Sequence, residues 1–320
     1  MRTVLGAGHW GTALALYLAR RGEPVILWGR SLPAQGIPYF DNTPVPKNLL
    51  LRVNLAEAVA DAAELVVAVP SYGVRGLLRL VQDLVSPPFP PLILASKGFE
   101  KESGARLDEV IQEQWRGPWA ILSGPSFASD LAAGRPLAMT LASLDKDLLA
   151  DRAEAWRSPQ MRIYPSQDVV GVCLAGAIKN VLAIAAGISD GLGNGDSARA
   201  ALIVRGLAEL QRLGTALGGS SQTFMGLAGA GDLILTTSSD LSRNRRFGLG
   251  IGAGREPGQV LAELGEEVEG WRSSYALYHL AQNLRIEMPI AREVYQVLYE
   301  GKSPQAATLA LMQRGLPEES

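Results

Sequence analysis

Lys179 is the only charged side chain between Asp168 and Asp190, in a run made almost wholly of Val, Ile, Leu, Ala and Gly. A lysine so placed either snorkels its ammonium to water or meets something anionic or reactive. Burial disfavours the charged form and lowers the pKa, which makes an amine a usable proton donor and acceptor near neutral pH. The chain carries only six lysines among its 30 basic residues. Arginine does not give up its proton, so a lysine kept here points to a need for titration. Asn180 beside it can orient a hydroxyl or an amide. Further on, Gly229-Ala230-Gly231-Asp232 places a carboxylate after small residues that permit close approach, or simply caps a helix. Ser242-Arg243-Asn244-Arg245-Arg246 gathers three guanidiniums, a hydroxyl and an amide at an expected helix start. That run reads either as a solvated basic face or as a phosphate site.

These groups need a scaffold, and its clearest signal is at the N-terminus. An apolar run at residues 2–5 leads into Gly6-Ala7-Gly8-His9-Trp10-Gly11 and an apolar helical stretch, with a second strand at 25–28. In a dinucleotide-binding βαβ unit the first glycine makes the tight turn, the second lets backbone approach the pyrophosphate, and the third lets helix and strand pack closely. The phosphates then meet the unpaired N–H groups and positive dipole end of the helix. Without the flanking strands and helix, the same glycines would be an ordinary turn.

Strand patterns at residues 65–69, 92–95, 119–122, 137–141 and 161–164 alternate with helical ones at 55–60, 74–84, 103–114 (capped by Ser103) and 146–157. The expected fold class is α/β: a Rossmann-like, doubly wound, mostly parallel sheet. Residues 31–47, rich in Pro and Gly, read as a loop rather than a crossover helix. From Asp168 strand patterns nearly vanish, and helices are expected over 169–188, 198–217, 243–251, 271–283, 289–299 and 303–313. The expected division is a dinucleotide-binding domain at 1–167 and an all-helical substrate and catalytic domain at 168–320, with a frayed tail at 316–320. The helix around Lys179 is long enough to span a membrane, but Lys179-Asn180 at its middle argues for a buried core helix.

Composition narrows the classes. With 47% hydrophobic residues, 19% charged and a net charge of -2, the 320-residue chain reads as a soluble globular protein, not a nucleic-acid binder. Cys173 is the only cysteine and His9 and His279 the only histidines, which argues against disulfides, a metal site and a histidine relay. With a strand expected from Arg2, no signal peptide is expected, and a cytoplasmic enzyme or sensor fits best.

The motifs Gly6-Ala7-Gly8-His9-Trp10-Gly11-Thr12-Ala13, Ser96-Lys97-Gly98, Ser123-Gly124-Pro125-Ser126, Ala177-Ile178-Lys179-Asn180, Gly231-Asp232-Leu233, Ser242-Arg243-Asn244-Arg245-Arg246-Phe247-Gly248, Val268-Glu269-Gly270 and Glu287-Met288-Pro289-Ile290 closely resemble those of bacterial-type NAD(P)-dependent glycerol-3-phosphate dehydrogenases. The resemblance runs in order along almost the whole chain. It implies that Lys179 takes the C2 hydroxyl proton of glycerol 3-phosphate and returns it when dihydroxyacetone phosphate is reduced, the product serving phospholipid synthesis. It implies that Lys97 and Asp232 complete the catalytic set. Substrate binding would fall to Lys97, Gly124, Ser126, Lys179, Asn180, Asp232, Ser242, Arg243 and Asn244, with Arg243 and Asn244 at the phosphate. The dinucleotide would meet Gly6, Gly8, His9, Trp10, Gly11, Arg30, Lys97, Ala128, Arg243 and Glu269. A homodimer is the default expectation, with no metal, no nucleic acid and no membrane insertion.

Coenzyme choice is read from Gly29-Arg30 at the end of the second strand, where NAD-selective folds carry an acid and NADP enzymes an arginine. No acid follows until Asp41, so NADPH is expected to serve at least as well as NADH. The chain departs from the family in lacking a helix after that strand, which bears on the adenosine end of the pocket. Two rival readings are a related two-domain hydroxy-acid or sugar-acid dehydrogenase, which needs a carboxylate site, and a non-catalytic NADP-sensing module, which has no use for Lys97, Lys179 and Asp232.

Overall fold

Short runs of Val, Ile and Leu that are apolar on both faces become strands buried on both faces, as in parallel sheets covered by helices. The computed structural model describes residues 1–33, 36–40, 43–100 and 102–313. Its strands are β1 (Arg2–Leu5), β2 (Val25–Trp28), β3 (Leu49–Arg52), β4 (Glu64–Val67), β5 (Leu92–Leu94), β6 (Trp119–Ser123), β7 (Leu137–Ala142) and β8 (Met161–Ser166). They form one sheet in the order β3-β2-β1-β4-β5-β6-β7-β8. Every neighbouring pair is parallel except β6 with β7. The order reverses between β1 and β4, and at such a switch point the carboxyl ends of the strands leave a crevice for a ligand. One face of the sheet packs on the His9–Ala19 helix, through Leu14, Leu18 and their neighbours. The other shares a continuous core with the helices that follow Asp168, joining Leu5, Val67 and Leu94 to Val172, Ile178 and Val181.

Several sequence expectations need correction. β3 lies in Leu49-Leu50-Leu51-Arg52, just past the expected 31–47 loop, where no strand is expected; it is an edge strand paired with β2 alone. Ser103 does not cap a helix. Its hydroxyl accepts from Ala105 N at 3.0 Å, and the helix begins later, at Leu107, where Glu109 accepts from the Arg106 N–H at 3.0 Å. The short helices Ala128–Ala132, Ser221–Met225, Asp232–Ser238 and Pro257–Leu264 were not expected, being too short for periodicity to declare itself. The tail at 316–320 and Asp41 lie outside the described residues. Among the described residues of 31–47 no helix forms.

The Val169–Gly191 helix is the axis of the second half. It has the length and mean hydropathy, 2.0, of a membrane span, yet 89% of that window is buried within the protein. It is apolar all round because it is enclosed all round. Asp168 caps it, accepting from Gly171 N and Ser220 N at 2.8 Å each. Its tightest neighbour is the Arg243–Gly252 helix. A Cβ on Gly187 would stand 2.1 Å from the Arg245 carbonyl oxygen, and one on Gly248 would stand 2.2 Å from that of Ile184. Only glycine permits that approach, and the approach carries Arg243 and Asn244 to Lys179 and Asn180.

Gly248→Ala is expected to destabilise the fold by about 1–3 kcal/mol through overpacking against backbone. Gly258→Ala, on a helix where the added carbon meets nothing within 4 Å, is expected to be neutral or mildly stabilising. Urea unfolding of the two variants checks this; equal stabilities contradict the packing argument.

Candidate active site

Asp232 opens a short helix, Asp232–Ser238, and is wholly buried. A carboxylate without water needs charged partners, and it has two. Its Oδ1 accepts from Lys179 Nζ at 2.6 Å and its Oδ2 from Lys97 Nζ at 2.6 Å. Lys179 comes from the middle of the Val169–Gly191 helix and Lys97 from the loop after β5, so one carboxylate joins both halves of the chain. Burial works to raise the Asp232 pKa, but the two ammonium groups outweigh it and the net shift is downward. For Lys179, burial dominates; Lys97 adds to it, Asp232 opposes it, and the pKa falls to about 8. Each ammonium has three donors. Lys179 gives a second to Thr236 Oγ1 at 3.0 Å, and Lys97 a second to the Gly124 carbonyl at 3.2 Å. Each therefore keeps one for a ligand.

Both lysines face a cavity of about 260 Å³ at the sheet's switch point, walled by Gly8, His9 and Trp10 on one side and Asn180, Arg243 and Asn244 on the other. The glycine turn fits a dinucleotide. The helix begins at His9, earlier than expected, and no side chain caps it, so its first N–H groups are open to an anion. A Cβ on Gly6 would come within 2.6 Å of the Ala68 carbonyl oxygen, and one on Gly11 within 1.8 Å of that of Gly6, whereas one on Gly8 meets nothing. Protein packing thus explains two of the glycines, and the third leaves room beside the cavity. The Trp10 indole N–H, buried in the same wall, has no protein partner.

The remaining candidates sort by position. Ser126, Ala128, Ser242 and Glu269 line the same cavity. Ser242 is also the N-cap of the Arg243–Gly252 helix, its Oγ accepting from Arg245 N at 3.2 Å. Asn180 and Asn244 face each other, with Asn244 Nδ2 donating to Asn180 Oδ1 at 2.9 Å and Asn244 Oδ1 accepting from Gly270 N at 2.9 Å. Glu269 accepts from Ser71 N at 2.9 Å and Ser71 Oγ at 2.7 Å across the cleft, and burial pushes its pKa up to about 7. Gly124 and Asp232 stand behind the lysines. Arg30 is exposed and does not line the cavity. Arg245 does not belong to an anion site: it is buried on Asp190, with Nη2 to Oδ2 at 2.7 Å, and also pairs with Asp240. Sequence reasoning missed Thr236, whose hydroxyl donates to the Asp232 carbonyl at 2.6 Å while accepting from Lys179. Its spacing, one helical turn from Asp232, was the available signal. It also missed Ser71, Glu266 and Glu267.

Residues 2–149 match the family model described as NAD-dependent glycerol-3-phosphate dehydrogenase N-terminus, and residues 168–309 match the corresponding C-terminus. Glycerol-3-phosphate dehydrogenase (NAD(P)+) of Acidithiobacillus ferrooxidans is 57% identical over 99% of this chain and 94% of its own length. That of Tolumonas auensis is 44% identical over 98% and 96%. The crystal structure of glycerol-3-phosphate dehydrogenase from Coxiella burnetii superposes with a TM-score of 0.92 at 37% identity, covering 98% of each chain. The switch-point cleft, the glycine turn and these matches agree: the chain belongs to the NAD-dependent glycerol-3-phosphate dehydrogenase family.

Proposed function

We propose that this chain interconverts sn-glycerol 3-phosphate and dihydroxyacetone phosphate with NAD(P), and that Lys179 moves the proton. The observation that carries the assignment is the pair of lysines on one buried carboxylate, each with a donor left over beside the cavity. The coenzyme, when bound, supplies or accepts the hydride. In reduction the Lys179 ammonium gives its free hydrogen to the C2 oxygen and becomes a neutral amine; in oxidation the amine takes that proton back. Lys97, hydrogen-bonded to Asp232, stabilises the negative charge that develops on the same oxygen. Asp232 keeps both lysines in place and stays ionised. Asn180 and Asn244 orient the substrate, and Arg243, on the first turn of a helix whose positive dipole end faces the cavity, receives the phosphate. Gly6, Gly8, Gly11, His9, Trp10, Ala128 and Glu269 are the positions proposed to hold the dinucleotide. The division at residues 167 and 168 is proposed to separate coenzyme and substrate domains. A cytoplasmic homodimer completes the reading; burial of the apolar Val169–Gly191 helix supports a core rather than a spanning role.

Lys179→Met is expected to fold and bind NADPH while losing at least about a hundredfold in turnover, the scale of general acid–base catalysis. Most of the turnover retained in a folded variant contradicts the role. In the native enzyme, ketone reduction needs the ammonium form, so its rate falls as pH rises through about 8, while alcohol oxidation, which needs the amine, rises across the same range. Stopped-time assays in both directions check the two limbs. Arg243→Gln should weaken glycerol 3-phosphate by about 1.5–3 kcal/mol relative to glycerol, the contribution of a charge-assisted hydrogen bond; equal losses for both count against the phosphate role. The exposed position of Arg30 beyond β2 supports contact with a coenzyme 2′-phosphate at the solvent edge. Arg30→Asp is then expected to shift preference from NADPH towards NADH, and an unchanged ratio of affinities removes Arg30 from the site.

A further inference from the structure

From the end of the Pro257–Leu264 helix to the start of the Glu269–Leu284 helix the chain places Glu266, Glu267 and Glu269 within four residues, and the last two line the cavity proposed to hold phosphorylated ligands. Like charge there opposes binding, unless each carboxylate is answered. Glu267 is answered by Arg272, whose Nε donates to it at 2.9 Å. Glu269 is answered by the amide and hydroxyl of Ser71. Glu266 differs, because two of its three neighbours, His9 and Arg243, are candidate ligand-binding residues. Its Oε2 stands 3.4 Å from Arg243 Nη1 and 3.5 Å from His9 Nδ1, and its Oε1 3.9 Å from Arg246 Nη2. His9 opens the helix behind the glycine turn, and the two arginines lie on the first turn of the Arg243–Gly252 helix. One carboxylate therefore stands between the His9 imidazole of one wall, whose pKa burial lowers, and two guanidiniums of the other.

We infer that Glu266 is an internal anion, resting on Arg243 in the place of a phosphate monoester and displaced when that phosphate arrives. The inference rests on the reading of Arg243 as a phosphate ligand. The contacts are loose. Charge-assisted N–H···O bonds run about 2.7–2.9 Å, shorter than any of these three, and the Glu266 and Arg243 side chains are 31% and 38% exposed. Solvent-exposed pairs of this kind shift an equilibrium by about two- to fivefold at most. A phosphate monoester brings more charge and three acceptor oxygens, so it can take the guanidinium from a single carboxylate. Glu266 thus lowers affinity for the phosphate. Two phosphate monoesters meet this description: that of the substrate and the 2′-phosphate of NADPH.

The test compares Glu266→Gln with Glu263→Gln, which removes the same charge from the preceding helix, where Glu263 pairs with Arg255 at the surface. Calorimetric titration with glycerol 3-phosphate, NADPH and NADH gives affinities without turnover, and steady-state assays give KM and kcat separately. Glu266→Gln is expected to tighten a phosphate-bearing ligand by about two- to fivefold, with the change in KM rather than kcat and none for dihydroxyacetone. Tighter glycerol 3-phosphate at a fixed NADPH-to-NADH ratio assigns the displaced position to the substrate phosphate; a ratio moved towards NADPH assigns it to the 2′-phosphate. The inference is overturned if neither ligand tightens, if Glu263→Gln has the same effect, or if dihydroxyacetone gains equally. The underlying reading fails separately, when Arg243→Gln does not distinguish glycerol 3-phosphate from glycerol.

Discussion

A buried carboxylate with no water must find positive charge, and at Asp232 that requirement ties the molecule together. Its two oxygens take one lysine from the sheet side and one from the central helix. Neither pair alone accounts for the arrangement. With Lys179 only, the pair would be neutral and inert; with both lysines the cluster carries a net positive charge beside the cavity. In the proposed reaction that charge faces the developing alkoxide, and in a site of low dielectric it would act strongly. The same cluster sets the Lys179 pKa through opposing effects, burial and Lys97 downward and Asp232 upward, leaving it about 8. The amine can then serve in both directions of a reversible reaction near neutral pH.

Positioning follows from packing. The Val169–Gly191 and Arg243–Gly252 helices approach so closely that a methyl group on Gly187 or Gly248 would run into opposing backbone. That distance lets Asn244 reach Asn180 and Gly270 at once, fixing three helices around the cavity. Arg245, on the same helix, turns inward to Asp190 and anchors it, which leaves Arg243 at the cleft. Glu269 meets Ser71 from the other side, so a carboxyl group whose pKa burial raises to about 7 links the two walls of the cleft.

Much of this was legible in the sequence, for physical reasons that differ by residue. Lys179 stood out because a lone charge in an apolar helix contrasts with everything near it. The glycine turn was legible because a strand and a helix flank it at the required spacing. The partnership of Lys179 with Asp232, 53 residues on, left no local trace, since tertiary pairing is not encoded by spacing. Lys97 entered only through resemblance, for the same reason. The run from Ser242 to Arg246 showed its composition but not its division of labour: Ser242 caps, Arg245 anchors, Arg243 faces the cleft. β3 was hidden because an edge strand of four residues carries too little pattern to separate it from loop.

The account stands or falls on the titration of Lys179. With six lysines in the chain, a protein labelled with ¹³C at lysine Cε gives a sparse spectrum, and the resonance lost in Lys179→Met identifies its own. The account predicts that this signal titrates near pH 8, and that Asp232→Asn, by removing the one charge that opposes burial, moves the midpoint lower still. A midpoint at the ordinary lysine value of about 10.4, or one indifferent to Asp232→Asn, would contradict it.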